Sequence, residues 1–286
     1  MTVTDAQIAQ YRKEGATRVE GVLSSEWVAR LLAAVDRGCA AVGKPDFMSK
    51  AAANPRNKTL NPPSIVSNDG GTMMLNMLWH DADFIALVEE SPVAEVVGTL
   101  MGAKHVRPWI DATFIKEGDL PAAATPWHND VCTFAFTGEM QPSLWVALTD
   151  VDENNAPMLT LAGSNHDTWR YHSPISPPVD TVPPGYRPWD ELLARAAAPD
   201  APIRVWPCKA GDVLLIHPRT IHASRPRLAG AQNERRVAFT LRWMGSDVVW
   251  DPDPLSIKPG PLMASGRMEV GKPPPDDLFP IVWRAA

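Results

Sequence analysis

Apolar residues in roughly the first hundred positions recur at intervals of three and four, and beyond residue 104 the interval shortens towards two. That change predicts helices followed by strands. Residues 4–15 read as a short helix: Thr4 and Gln7 have capping-box spacing, Val3 and Ile8 that of a hydrophobic staple, and Gly15 supplies the stop. Residues 16–22 read as a short strand. Ser24 caps a second helix, with Leu23 and Val28 as its staple. Its buried face carries Trp27, Leu31, Leu32 and Val35, and Gly43 and Pro45 end it. Residues 46–78, rich in Asn, Pro, Ser and Met, read as irregular. A third helical stretch covers 83–101 through Phe84, Leu87, Val88, Val93 and Val97, broken in two by Pro92.

Strands are expected at 105–117, 125–136, 143–150, 158–162, 203–206, 213–217, 221–224 and 236–244. The segment 164–201 interrupts them, studded with prolines and holding a short helix near 189–197. A loop of that length inside a compact domain has work to do, such as lidding a site. Prolines keep the tail extended from Trp250 onward. Helices first and many short strands later predict an α+β fold with a β-rich core and helices packed outside it. No repeat or linker divides residues 1–286, so one domain is expected. Its mainly helical part (1–103) buttresses a core at 104–245, followed by the tail at 246–286.

Composition narrows the function. The net charge of −6 and the absence of a basic stripe argue against nucleic acid as a partner. No apolar run approaches the ~20 residues of a membrane span, and the opening Met1-Thr2-Val3-Thr4-Asp5 is no signal peptide. Cys39, Cys132 and Cys208 are odd in number and widely spaced, so no disulfide framework is expected and a reducing cytoplasm is the default. Cys132 reads as a small buried apolar residue on a strand rather than as a metal ligand. The 11 tryptophans suit an aromatic-walled pocket and core packing equally well.

Of seven histidines, only His128 has an aspartate two positions on. On a strand, positions i and i+2 share a face, so His128 and Asp130 project together and Asn129 faces away. Phe134 and Phe136 would share that face, one of them near a substrate. A lone His-x-Asp arises often by chance. A second candidate ligand, His222, stands ninety-four residues downstream, on a strand that a jelly roll brings back beside His128. Two imidazoles and a carboxylate fill one face of an Fe(II) octahedron and leave the other open for a co-substrate and dioxygen. His217 competes with His222 but precedes Pro218, which suits a strand-ending turn. Further on, alternation puts Arg236, Ala238, Thr240 and Arg242 on one face of a strand and Arg235, Val237, Phe239 and Leu241 on the other. An inward arginine would grip a carboxylate through two parallel hydrogen bonds. The pattern alone does not say which face is inside, and two solvated arginines fit it as well.

Together these motifs resemble the phytanoyl-CoA dioxygenase family of iron- and 2-oxoglutarate-dependent oxygenases. The similarity lies in the opening through Gly21-Val22-Leu23-Ser24, in Trp127-His128-Asn129-Asp130, and in Leu144-Trp145-Val146-Ala147-Leu148. It continues through Gly163-Ser164-Asn165-His166, His222-Ala223-Ser224, and Arg236-Val237-Ala238 to Arg242-Trp243. The resemblance implies a double-stranded β-helix, the cupin-like jelly roll. It implies His128, Asp130 and His222 as iron ligands, and Arg236 rather than Arg235 as the anchor of the distal carboxylate of 2-oxoglutarate. Ser224 would assist at that carboxylate, and Trp145 would line the same cavity. The family's Glu-Asn-Gly is altered to Asn154-Asn155-Ala156, and its Gly-Ser-His to Gly163-Ser164-Asn165; both are turns.

The implied cofactors are Fe(II), 2-oxoglutarate and O2. The implied reaction is hydroxylation of an unactivated C–H bond in a small or mid-sized metabolite, with release of succinate and CO2. Related halogenases carry a small residue where Asp130 stands, so hydroxylation is the default; desaturation, ring formation and epimerisation stay open. No basic cluster suits the phosphates of a coenzyme A thioester, which favours an apolar metabolite. Trp169, Tyr171, Tyr186 and Trp189 are either pocket walls or loop anchors. Two other readings use the same residues. A non-catalytic jelly-roll binding protein leaves the ligand set unexplained, and a zinc-dependent hydrolase leaves Arg236 and Ser224 without a role.

Overall fold

The structure, a computed structural model, describes residues 3–54, 61–68, 71–117, 124–228 and 235–286. The chain opens with α1 (Asp5–Glu14), β1 (Ala16–Val19), α2 (Ser25–Ala41), α3 (Pro45–Ala53), β2 (Ser64–Asn68), β3 (Gly71–Leu75), α4 (Ala82–Glu89) and α5 (Val93–Met101). Then come β4 (His105–Glu117), β5 (Phe136–Thr137), β6 (Ser143–Ala147), β7 (Met158–Leu161), β8 (Arg170–Tyr171), β9 (Tyr186–Arg187) and α6 (Trp189–Ala196). The remainder is β10 (Ile203–Trp206), β11 (Val213–Ile216), β12 (His222–Ser224), β13 (Arg235–Met244), β14 (Val249–Trp250), α7 (Gly260–Ala264) and β15 (Trp283–Arg284).

Local chemistry accounts for the first helix. Gln7 N donates to Thr4 Oγ1 at 3.2 Å and Thr4 N to Gln7 Oε1 at 2.9 Å, closing both halves of the capping box. Gly15 ends the helix in the left-handed region, at φ 82°. Its carbonyl then accepts from His217 N and Thr220 Oγ1, each at 2.8 Å. An added Cβ there would lie 2.1 Å from Thr220 Oγ1. The helix stop is therefore also a seat for the turn that leads into β12.

The segment 46–78, expected to be irregular, holds α3 and the β2–β3 hairpin. Pro45 stands at the start of α3, where its missing N–H costs nothing, so the residue that closes one helix opens the next. β3 finds its partner in β4, and its Met74 is buried against Gly38 of α2.

Two antiparallel sheets face each other as a double-stranded β-helix. The larger runs β1-β11-β6-β13-β4-β3-β2, with β15 also on β4, and the smaller runs β10-β7-β12. Val237, Phe239 and Leu241 of β13 point into the main apolar cluster, beside Leu31, Leu87 and Val97 from the helices, and Phe84 stacks on Phe239 at 5.0 Å. Arg236, Thr240 and Arg242 therefore face the space between the sheets. The tail, expected to be extended, instead bends in hydrogen-bonded turns at Asp253–Ser256, Glu269–Lys272 and Pro275–Phe279, besides the one turn of α7. Trp283 of β15 lies where any side chain at Gly98 would stand, 2.2 Å from an added Cβ. Among the described residues, no helix is long and apolar enough to cross a membrane.

The stretch 125–136 departs from its expected strand. His128 makes a single bridge to His222, and Asp130–Cys132 then form a short 3-10 turn. Thr133 N and Thr133 Oγ1 both donate to Asp130 O, at 3.1 and 3.2 Å, and these local bonds divert the backbone from the sheet. Phe134 and Phe136 consequently leave the face of Asp130 and pack edge-on against Trp109 in the main core, at 5.2 and 5.0 Å. Cys132 is fully buried, but in this turn rather than on a strand.

Candidate metal and carboxylate site

The bridge between the end of the loop at Pro126 and β12 brings His128 beside His222, and the turn after it returns Asp130 to the same point. The ring centres of the two histidines are 4.1 Å apart. Asp130 Oδ1 lies 3.7 Å from His128 Nε2 and 4.0 Å from His222 Nε2. Donors that share one ion at about 2.1 Å each sit no more than about 4.2 Å apart, so these distances fit a single metal ion. Among the described residues, this is the one group of three or more such donors that could hold a metal ion.

The outer hydrogen bonds also suit metal binding. His128 Nδ1 donates to Pro126 O at 2.7 Å and His222 Nδ1 to Thr220 O at 2.9 Å. Carbonyl oxygens only accept, so both protons sit on Nδ1 and both Nε2 lone pairs face Asp130. The Ser143 hydroxyl donates to Asp130 Oδ2, leaving Oδ1 towards the histidines. Burial opposes ionisation of Asp130, yet Arg242, His222 and His128 hold its carboxyl well below the usual range. Burial, with help from His128, pushes His222 down to about 4, so its ring is neutral at pH 7. Asn129 turns away, donating to Trp169 O at 3.2 Å.

A cavity lies against this group. Arg236 and Trp145 line it, together with Met158, Thr240 and Arg242. Arg236 is 2% exposed. Its one hydrogen bond among the described residues runs from Nη2 to Ala156 O at 3.1 Å, while its Nε has no partner. Its guanidinium carbon stands 4.9 Å from the centre of the Trp145 ring. Burial pushes Arg236 down to about 10, and no carboxylate of the described residues counters it. Arg235 is different: it points outward and pairs with Asp36 and Glu117, both at 2.8 Å.

Ser224 does not itself line the cavity but is bonded to Thr125, which does. Its hydroxyl oxygen accepts from Lys116 Nζ and Thr125 N, both at 2.9 Å, which leaves its own proton to donate. Lys116 is 3% exposed and directly opposite Arg236 in the β4–β13 register. Burial first, and the nearby Arg236 second, push it down to about 7. Ala156, the residue in place of the family's glycine, has φ 53°, a conformation that favours glycine.

Other expected residues fall elsewhere. His217 points at Glu139, 3.2 Å from Nε2 to Oε2, and takes no part in the metal group. The loop aromatics are anchors: Tyr186 donates to Asp253 at 2.7 Å, Trp189 donates to Trp127 O at 2.9 Å, and Arg187 stacks over Trp169 at 4.1 Å. Tyr171 is buried with Leu161, Leu192 and Ile221. Three residues of the site were given no role in the sequence analysis. Ser143 and Arg242 share the inward alternation of Trp145 and Arg236, a signal that could have found them. Lys116 is placed only by strand register.

Residues 11–237 match the family model described as Phytanoyl-CoA dioxygenase (PhyH), and the chain belongs to that family. No curated protein matches it in sequence. Among solved structures it is similar to SnoK, a non-heme alpha-ketoglutarate-dependent carbocyclase from nogalamycin biosynthesis. That match has a TM-score of 0.71 and 20% identity over 99% of this chain and 97% of that one. It is similar to the epimerase SnoN in complex with Fe3+, alpha ketoglutarate and nogalamycin RO, with a TM-score of 0.70 and 22% identity over 98% of both chains. It is also similar to EctD from S. alaskensis with 2-oxoglutarate and 5-hydroxyectoine, with a TM-score of 0.63 and 18% identity over 97% of this chain and 84% of that one. At such identities the likeness establishes the fold.

Proposed function

We propose that the chain is an Fe(II)- and 2-oxoglutarate-dependent dioxygenase that hydroxylates an unactivated C–H bond of a small or mid-sized metabolite, releasing succinate and CO2. The observation that carries this is Arg236: a buried guanidinium, with one orphaned donor and no carboxylate partner among the described residues, on the same cavity as a His-Asp-His group. A buried cation without a partner is costly, and a ligand carboxylate removes that cost. SnoN and EctD are described with alpha ketoglutarate or 2-oxoglutarate, in keeping with this reading.

His128, Asp130 and His222 are the proposed metal ligands, each oriented by the hydrogen bond on its far side. The metal, with oxoglutarate and dioxygen bound, supplies the oxidant for the C–H bond. Arg236 is the proposed anchor of the distal carboxylate, with Ser224 donating beside it and Trp145 walling the cavity. Apolar neighbours such as Met158 and Ile216 exclude water from the same space. Asp130 keeps a carboxylate on the metal, which favours hydroxylation. SnoK and SnoN are described as a carbocyclase and an epimerase, so product analysis decides among outcomes. Residues 1–286 are proposed to act as one unit, since the helices cover the sheet that carries Arg236. A zinc hydrolase would use the three ligands and leave Arg236 uncompensated.

Anaerobic addition of Fe(II) and 2-oxoglutarate tests the proposal. A weak visible metal-to-ligand charge-transfer band is expected, absent in His128→Ala and requiring far more oxoglutarate in Arg236→Ala. No band in the unaltered protein, together with tight zinc binding, would overturn it.

A further inference from the structure

Charge in the cavity is lopsided. Arg236 and Arg242 both line it, while Asp130 is its one lining carboxylate among the described residues. Arg242 sits at the metal end, with Nη2 3.4 Å from Asp130 Oδ1, its only hydrogen bond among the described residues. Its side chain is 21% exposed, against 2% for Asp130. Another acid within its electrostatic reach, Asp111, does not line the cavity. Its carboxylate accepts from Met77 N and Leu78 N at 2.8 and 3.1 Å.

On the oxygenase reading, a metal dication takes Asp130 Oδ1 and oxoglutarate takes Arg236. Positive charges then outnumber negative ones, and Arg242 faces a cation across a carboxylate that both must share. Two like charges so placed in a poorly solvated cavity repel, and an anion beside them relieves the repulsion. A guanidinium with most of its donors unused is shaped to take a carboxylate through two parallel bonds.

We propose that Arg242 recognises the substrate, and that the substrate carries a carboxylate held against this guanidinium beside the metal. The proposal rests on the oxygenase reading and narrows its substrate class from an apolar metabolite to one bearing an acid group.

The test uses the protein loaded with Ni(II) and saturating 2-oxoglutarate, which binds without turnover. A panel of small carboxylic acids, each paired with its primary amide, is ranked by shifts in thermal unfolding. Acids are expected to bind roughly 10- to 100-fold tighter than their amides. Arg242→Gln should erase that preference and Arg242→Lys keep part of it. Because Arg242 also touches Asp130, each variant is first titrated with Ni(II) and 2-oxoglutarate, and acids and amides are compared at saturation of both. Equal binding of acids and amides, or a preference that survives in Arg242→Gln, overturns the proposal. Loss of the Ni(II) and 2-oxoglutarate shifts in Arg242→Gln also overturns it, because Arg242 then only positions Asp130. If the unaltered protein shows no 2-oxoglutarate shift, the oxygenase reading fails and this proposal with it.

Discussion

Arg236 and Trp145 meet at one cavity: the guanidinium carbon lies over the indole, 4.9 Å from its centre, and the two residues sit on neighbouring strands, β13 and β6. A cation over an aromatic face gains roughly 0.5–2 kcal/mol, more as water is excluded. Trp145→Leu should therefore weaken 2-oxoglutarate binding about 2- to 30-fold by calorimetry. Unchanged affinity would mean that Trp145 only fills space.

Arg236→Met should separate stability from function. The substitution removes a buried cation that lacks a carboxylate partner, and such replacements are often neutral or stabilising by about 1–4 kcal/mol. The metal-free variant should unfold at the same or a higher temperature, while stabilisation by added 2-oxoglutarate disappears. A large fall in melting temperature would show that the bond to Ala156 O matters more than the uncompensated charge.

Ser143 holds the outer oxygen of Asp130. Ser143→Ala leaves that oxygen without its buried donor, and lost partners of this kind cost about 10- to 100-fold in metal affinity. A competitive Ni(II) titration reads the change. An affinity within twofold of the unaltered protein would remove Ser143 from the metal site.

Ala156 sits at φ 53° where glycine is at ease. Ala156→Gly should stabilise the protein by about 1 kcal/mol, because relief of the left-handed conformation exceeds the extra freedom that glycine gives the unfolded chain. Chemical denaturation checks the sign, and destabilisation would contradict it.

Burial pushes His217 down to about 4, against about 6.5 in the unfolded chain. A depressed folded value means that the unfolded chain takes up the proton first. Stability is therefore whole above about pH 6.5 and falls as pH drops towards 4, by at most about 3 kcal/mol. Asp111, pushed up to about 6 by burial, works in the opposite direction over the same range. The comparison with His217→Gln isolates the histidine: its stability should fall less between pH 6.5 and 4.5. Parallel pH profiles would show that His217 opens to water before it titrates.

Elements set by local chemistry were legible in the chain. The capping box at Thr4, the stop at Gly15 and the break at Pro92 all depend on neighbours a few residues away. The alternation along β13 was legible too, but only as two possible faces. The 125–136 segment was not legible, since its apolar positions suit a strand and the turn depends on bonds from Thr133 together with contact to Pro218 O. The 46–78 segment was missed because β3 becomes a strand by pairing with β4, a partner that no local period announces.

The sequence by itself determined the family and picked out the candidate ligands in order, because His-x-Asp, the distal His-x-Ser and the paired arginines carry recognisable chemistry at recognisable spacing. Tertiary structure alone decided which arginine is buried, that Lys116 stands opposite it, and that Arg242 and Ser143 converge on Asp130. Those relations come from strand register and from two sheets closing on each other, and they join residues as much as 120 positions apart. Side-chain alternation offers two faces for each strand, and only the buried apolar contacts with the helices choose between them.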